Sequence, residues 1–192
     1  QYIQRHGQGL AGAIIMGTGS QSALTLLAAR TIARLSACAR GWKSRSALLD
    51  KLTTGGFNRR FQPVKTGWEW ITSDEEMAAS YGRDPLRCFR FTVNAYDNMF
   101  VSIGEAQSAR RMKGIPKSLP LLLISGECDP VGGFGKGVRA AYARYQAAGL
   151  QQVRCLLYPG CRHELLNEVN RETVYADLLD WMNAHMAAGQ KG

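Results

Sequence analysis

Leu119-Pro-Leu-Leu-Leu-Ile-Ser125 is a continuous apolar run, with no alternation of apolar and polar residues along it. A strand of that kind is buried on both faces, and the usual fold that buries both is a parallel sheet covered by helices on each side. The residues that follow carry the alternation such a sheet needs. Gly126-Glu-Cys-Asp-Pro130 closes the run. Val138, Ala141, Tyr142 and Tyr145 then lie on one helical face, and Gly149 stops that helix. Val153, Cys155 and Leu157 alternate with Arg154, Leu156 and Tyr158 as a second strand. Pro159-Gly-Cys-Arg-His163 forms a loop, and Asn170 caps a final helix striped by Val174, Leu178, Trp181, Met182 and His185. Near the start, Ala11-Gly-Ala-Ile-Ile-Met16, closed by Gly17-Thr-Gly19, reads as a third buried strand. Tyr2 to His6 ahead of it read as the last turns of a helix ended by glycine. Strands alternating with helices predict an α/β fold with a mostly parallel, doubly wound sheet.

Residues 20–118 interrupt this pattern. Helical stretches, the first marked by Leu24, Leu27, Ala28, Ile32 and Leu35, are broken at Gly55-Gly56, Pro63, Asp84-Pro85 and Gly114-Ile-Pro116, with no strand pair among them. Most of the aromatic residues fall here, so the segment reads as a long helical insertion between strands. The chain is 45% hydrophobic and 20% charged, as a soluble globular protein is. It has no run of ~18 apolar residues and so encodes no membrane span. A formal net charge of +9 is spread from Arg5 to Lys191 with small knots only at 43–45 and 110–113. With no recognition motif beside it, that charge is a solvated basic surface rather than a nucleic-acid site. Five cysteines (Cys38, Cys88, Cys128, Cys155 and Cys161) form no C-x-x-C pair, which excludes the common metal spacings and a disulfide framework. Free thiols in a reducing, cytoplasmic setting are the expectation.

Ligands meet parallel sheets at the carboxyl ends of the strands. Asp129 stands there after one strand and His163 after the next, with one helix between them. That is the closing half of a Ser…Asp…His order. The carboxylate would hold the imidazole in the right tautomer, and the imidazole would move the nucleophile's proton. The two are expected within hydrogen-bond reach.

The surrounding sequence supports this. The stretches Leu121-Leu-Leu-Ile-Ser-Gly-Glu-Cys-Asp-Pro-Val131, Gly135-Lys-Gly-Val138 and Leu157-Tyr-Pro-Gly-Cys-Arg-His-Glu-Leu-Leu-Asn167 resemble the bacterial α/β-hydrolases of the serine aminopeptidase, lysophospholipase and monoacylglycerol-lipase-like group. Within the insertion, Asn58, Thr66-Gly-Trp68, Trp70-Ile-Thr-Ser-Asp-Glu75 and Asp84-Pro-Leu-Arg-Cys-Phe89 look like the cap of those proteins. Leu10-Ala-Gly-Ala-Ile-Ile-Met-Gly-Thr18 resembles the strand after their nucleophile helix. The resemblance implies three parts. Residues 1–19 would be the end of the nucleophile helix and the next core strand, 20–118 a helical cap, and 119–192 the C-terminal hydrolase core with the acid and histidine loops. It implies a serine hydrolase of carboxylic esters, acylglycerol-lipase- or lysophospholipase-like, acting on a small ester or lipid with no cofactor or metal. The reading from another class is a non-catalytic binding or scaffold domain on the same fold.

The family's nucleophile sits in a G-x-S-x-G elbow, and none occurs in these residues. The resemblance places the serine upstream of Gln1, so residues 1–192 are expected to be inert alone. It also leaves the edge of the first strand at Ile14 and Ile15 to be covered by that upstream segment or by another chain. Cys128 half-resembles a cysteine elbow, but Pro130 replaces its closing glycine; Ser20 is not central to an elbow. The glycines of 131–137 match neither phosphate-loop spacing and read as a turn into a helix. His6 and His185 read as structural. Trp68, Trp70, Phe91, Tyr96, Met99 and Phe100 are the candidates for an acyl pocket beneath the cap.

Overall fold

The computed structural model describes residues 1–87 and 89–189. Cys88 and residues 190–192, on which some of the sequence readings fall, lie outside the described residues. Three strands form a parallel sheet in the order β1 (Ala13–Met16), β2 (Leu121–Gly126), β3 (Val153–Tyr158). Ala13 pairs with Leu121, and Leu121 with Val153. Helix α1 (Tyr2–His6) precedes β1. Between β1 and β2 come α2 (Ala23–Arg40), α3 (Ala47–Thr53), α4 (Glu75–Arg83), α5 (Val93–Ala106) and α6 (Ala109–Met112). Helix α7 (Lys136–Ala147) returns from β2 to β3, and α8 (Arg171–Gly189) follows β3. The fold is thus α/β with a parallel sheet, as the alternation predicts. The first strand starts at Ala13 rather than Ala11, and the second runs on to Gly126.

β2 is buried from end to end, which explains its unbroken apolar sequence. Leu121 and Leu123 face a cluster with Val138 and Ala141 of α7, while Leu122 and Ile124 face Leu165, Val174 and Trp181 on the other side. Period-two alternation therefore continues, with both faces apolar. Each such leucine contributes about 1.5–3 kcal/mol of burial. β1 departs from the expectation of a fully buried strand: all four of its residues are half-buried. Ala13 and Ile15 join one cluster and Ile14 and Met16 the other, but β1 is an edge, and no strand among the described residues lies beyond it.

The β1–β2 insertion has a core of its own. Ala33, Ala37, Leu49, Val93, Tyr96 and Phe100 pack together where α2, α3 and α5 meet. Its ends are capped as its sequence invites: Ser22, Ser46, Asp74 and Thr92 each accept a backbone N–H of the following turn. Here the helical spacing misleads. Leu24, Leu27 and Leu35 are 79%, 63% and 65% exposed, whereas Leu26, Ala29, Ile32 and the buried alanines face inward. Alanine at Ala33 and Ala37 lets the axes of α2 and α5 approach closely, so the packed face carries the smaller side chains. Met112 and Ile115, at the far end of the insertion, pack with the sheet rather than with this cluster.

Helix α8 buries Val174 and Trp181, but Met182 of the expected stripe lies on its flank and is exposed. His185 stacks on Trp181 with centroids 4.2 Å apart. Asn170 stands before the helix as expected, yet its Oδ1 accepts the Cys161 thiol at 3.0 Å. No helix of the described residues is long and apolar enough to cross a membrane.

β2 ends where the loop after β3 crosses over it. Glu127 N–H donates to Tyr158 O at 2.9 Å and Cys128 N–H to Cys161 O at 2.8 Å. A Cβ added at Gly126 would stand 2.1 Å from Cys161 O and 2.2 Å from Arg162 O, both rigid backbone. Gly126→Ala is therefore expected to cost about 1–3 kcal/mol of stability. In the full-length protein this should appear as a lower urea midpoint at unchanged slope; an unchanged midpoint would contradict the close approach.

Candidate active site

Because β2 and β3 are parallel neighbours, the loops leaving their carboxyl ends lie side by side. Asp129 occupies the turn after β2, its N–H bonded to Gly126 O at 3.2 Å. Its side chain is fully buried, where a carboxylate is costly unless donors meet it. Oδ1 accepts Val131 N–H at 2.8 Å. Oδ2 accepts the Ser125 hydroxyl at 3.1 Å and lies 3.0 Å from His163 Nδ1. A carboxylate can only accept, so this geometry puts the imidazole hydrogen on Nδ1 and leaves the Nε2 lone pair free. The His163 side chain is 28% exposed, against 0% for its partner.

Two other segments set the position of the imidazole. Gly17, at φ +62° just past β1, passes so close that a Cβ there would stand 3.0 Å from Cε1 and 3.2 Å from Nδ1. The Trp70 ring lies 5.4 Å from the imidazole, tilted by 36°. The Trp70 main chain is held in turn: its backbone N–H donates to Asn58 Oδ1 at 2.8 Å, and Asn58 Nδ2 donates to Glu69 Oε2 at 3.2 Å. Glu69 also takes the backbone N–H groups of Lys65, Thr66 and Gly67 and the Thr66 hydroxyl. Partial burial pushes its carboxyl pKa up, but the hydrogen bonds outweigh that and hold it below the usual value. The motif residues Asn58, Thr66 and Trp70 are thus one hydrogen-bonded turn.

A cavity of about 540 Å³ opens between the insertion and the two loops, with His163, Pro130 and Val131 on the core side. Of the aromatic and methionine candidates, Trp70, Phe91, Met99 and Phe100 line it. Trp68 and Tyr96 do not. Trp68 packs on Tyr81 at 4.8 Å. Tyr96 is buried and donates to Asp50 Oδ1 at 3.0 Å; burial, with that bond adding to it, pushes its pKa up to about 12. Leu26, Leu49, Leu52, Phe57 and Ile103 complete the apolar wall and escaped the sequence reading. Helical spacing marks Leu49 and Leu52 only as amphipathic; that they face a void depends on how α2, α3 and α5 cross. No Asp or Glu side chain lines this cavity among the described residues.

The remaining candidates sit elsewhere. Ser20 Oγ bonds Gln107 Oε1 at 3.0 Å and accepts from Arg144. Cys128 is half-buried, with its N–H on Cys161 O. His6 is exposed on α1 beside Tyr2. The glycine-rich loop turns into α7 through left-handed Phe134 and Gly135 (φ +54° and +82°), and the Arg60 guanidinium covers the Phe134 ring at 3.9 Å. Cys38, Cys128, Cys155 and Cys161 are free thiols. Among the described residues, no group of three or more His, Cys, Asp or Glu side chains is placed to hold a metal.

Comparison with known proteins shows the family and the fold. The chain is similar to a thermostable carboxyl esterase from Bacillus coagulans, solved in complex with glycerol (25% identity, TM-score 0.85). The match covers 95% of this chain and 59% of that one. It also shares its fold with a soluble variant of monoglyceride lipase from Saccharomyces cerevisiae, solved with a substrate analogue. There the identity is 19% and the TM-score 0.69, covering 96% of this chain and 60% of that one. The chain therefore spans about six tenths of the length of these structures. Residues 1–170 match the family model described as serine aminopeptidase, S33. The chain belongs to that family, within the α/β-hydrolase superfamily.

Proposed function

We propose that this chain carries the acid and the base of a serine hydrolase of carboxylic esters, with acylglycerols or lysophospholipids as the substrate class. The observation that carries the reading is the Asp129–His163 pair, 3.0 Å apart at the ends of neighbouring parallel strands and open to an apolar cavity. The similarity to a carboxyl esterase and to a monoglyceride lipase supports ester chemistry. A cavity wall without carboxylates among the described residues suits an acyl chain better than the α-ammonium group of a peptide. Residues 20–118 act in this reading as the cap over the site, and residues 119–192 as the hydrolase core. Its unpaired thiols fit a reducing, cytoplasmic setting.

The serine belongs to a segment upstream of Gln1. His163 Nε2 takes its proton as Oγ attacks the ester carbonyl, and Asp129 stabilises the imidazolium that forms. The imidazolium then protonates the leaving alkoxide. In the second half a water attacks the acyl-enzyme; Nε2 removes the water's proton and returns it to serine Oγ as the acid departs. The same upstream segment covers the open edge of β1.

In the full-length protein, His163→Ala should abolish nearly all ester turnover, and Asp129→Asn should cut kcat by up to ~10⁴ while the protein stays folded. Steady-state assay of a short p-nitrophenyl ester and of a monoacylglycerol checks this; a His163→Ala enzyme within tenfold of normal kcat would refute the base. A fluorophosphonate should label one serine, located by peptide mapping upstream of Gln1. Residues 1–192 expressed alone should be inert toward the same esters and should self-associate through the β1 edge. A monodisperse, cooperatively melting monomer with protected Ile14 and Ile15 amides would count against the covering segment.

A further inference from the structure

Glu168 is fully buried, and no step above uses it. A buried carboxylate is stable only where donors meet its oxygens, and here the donors come from two strips of chain. Oε1 accepts the backbone N–H of Arg162, the residue just before His163, at 2.6 Å. Oε2 accepts the Ser73 N–H at 3.0 Å and also the Ser73 hydroxyl. The first strip carries the imidazole, and the second is the part of the insertion that carries Trp70. More bonds join the same strips. Glu164 N–H, just after His163, donates to Ile71 O at 2.8 Å. The Thr72 hydroxyl donates to Asn167 O at 2.7 Å, and the Arg162 guanidinium reaches the carbonyls of Glu69 and Thr72. The main chain on each side of His163 is thereby tied, directly or through Glu168, to residues 69–73.

We propose that Glu168 is a positioning residue for His163: its two oxygens lock the histidine loop to residues 69–73, so that the imidazole and the Trp70 wall of the cavity form one rigid unit. This rests on the reading of His163 as the base. Both sides of Glu168 present donors, and only a group with two acceptors and no donor satisfies both. An amide of the same shape must turn its NH2 toward either Arg162 N–H or the Ser73 pair, which opens one side of the clamp. The cavity keeps its volume in that case while the base loses its alignment. The consequence is a loss in turnover rather than in substrate affinity.

The test is Glu168→Gln in the full-length protein, read by backbone amide exchange at Arg162 and Ser73, by the His163 Nδ1–H resonance, and by kcat and KM separately. One of the two amides should exchange about tenfold faster or more. The Nδ1–H signal should shift or broaden. The kcat should fall about ten- to a hundredfold with KM within about threefold, as expected for a misplaced base. Should Glu168→Gln fail to fold, Ser73→Ala removes only the hydroxyl donor and should give the same changes, with kcat down roughly two- to tenfold. An unchanged Nδ1–H signal and unchanged kcat, even with a lower melting temperature, would make Glu168 merely structural and overturn the proposal. If the wild-type protein turns over no ester, the hydrolase reading fails instead; amide exchange and the ring resonance still decide what Glu168 does.

Discussion

Burial of β2 on both faces is the constraint on which the rest of the structure depends. Leu121 and Leu123 require an apolar layer on one side, and Leu122 and Ile124 require one on the other. Helices α7 and α8 supply those layers, one on each face. A helical return from β2 makes β3 parallel to it, so both strands end on the same side. The loops carrying Asp129 and His163 leave from that side. The proximity of the pair is therefore a product of the sheet's direction, and the hydrogen bonds only fix its final 3.0 Å.

The same end of the sheet concentrates polar groups that would be costly anywhere else in the core. Asp129, Ser125, Thr72 and Glu168 are all buried, and each meets a partner. Asp129 joins the two strand-end loops; Glu168 joins the second of them to the insertion. Paired groups of this kind hold loops in one arrangement, because loosening either partner leaves the other buried without a bond. Arg60 over Phe134 and Arg162 over Phe61 add contacts between the insertion and the two loops from the outer side. The cavity lies between elements that packing and buried hydrogen bonds hold from both directions.

Where the sequence was legible, it was legible because the signal is local or has a short period. The three strands, the helix between β2 and β3, and the residues at the strand ends all follow from apolar runs closed by turn residues. The resemblance singled out Asn58, Thr66 and Trp70, and in the structure Glu69 and Asn58 tie these residues into one turn. The reading faltered where two helices pack closely. Large residues at Leu24, Leu27 and Leu35 suggested the inner face of α2, but close approach to α5 is made by Ala33 and Ala37. Trp68 and Tyr96 are aromatic residues of the kind that fills a pocket wall, yet one packs on Tyr81 and the other bonds Asp50.

By itself, then, the sequence determined the layered α/β architecture, the parallel direction of the strands, and which two strand-end loops bear Asp129 and His163. Apolar periodicity and turn chemistry are properties of neighbouring residues, so they can be read along the chain. Only the tertiary structure decided which side chains face the cavity, how closely Gly17 passes the imidazole, and that Glu168 bonds Ser73, 95 positions away in the chain. Those outcomes depend on the crossing of helices and the meeting of distant loops, and no local pattern encodes the distance between them.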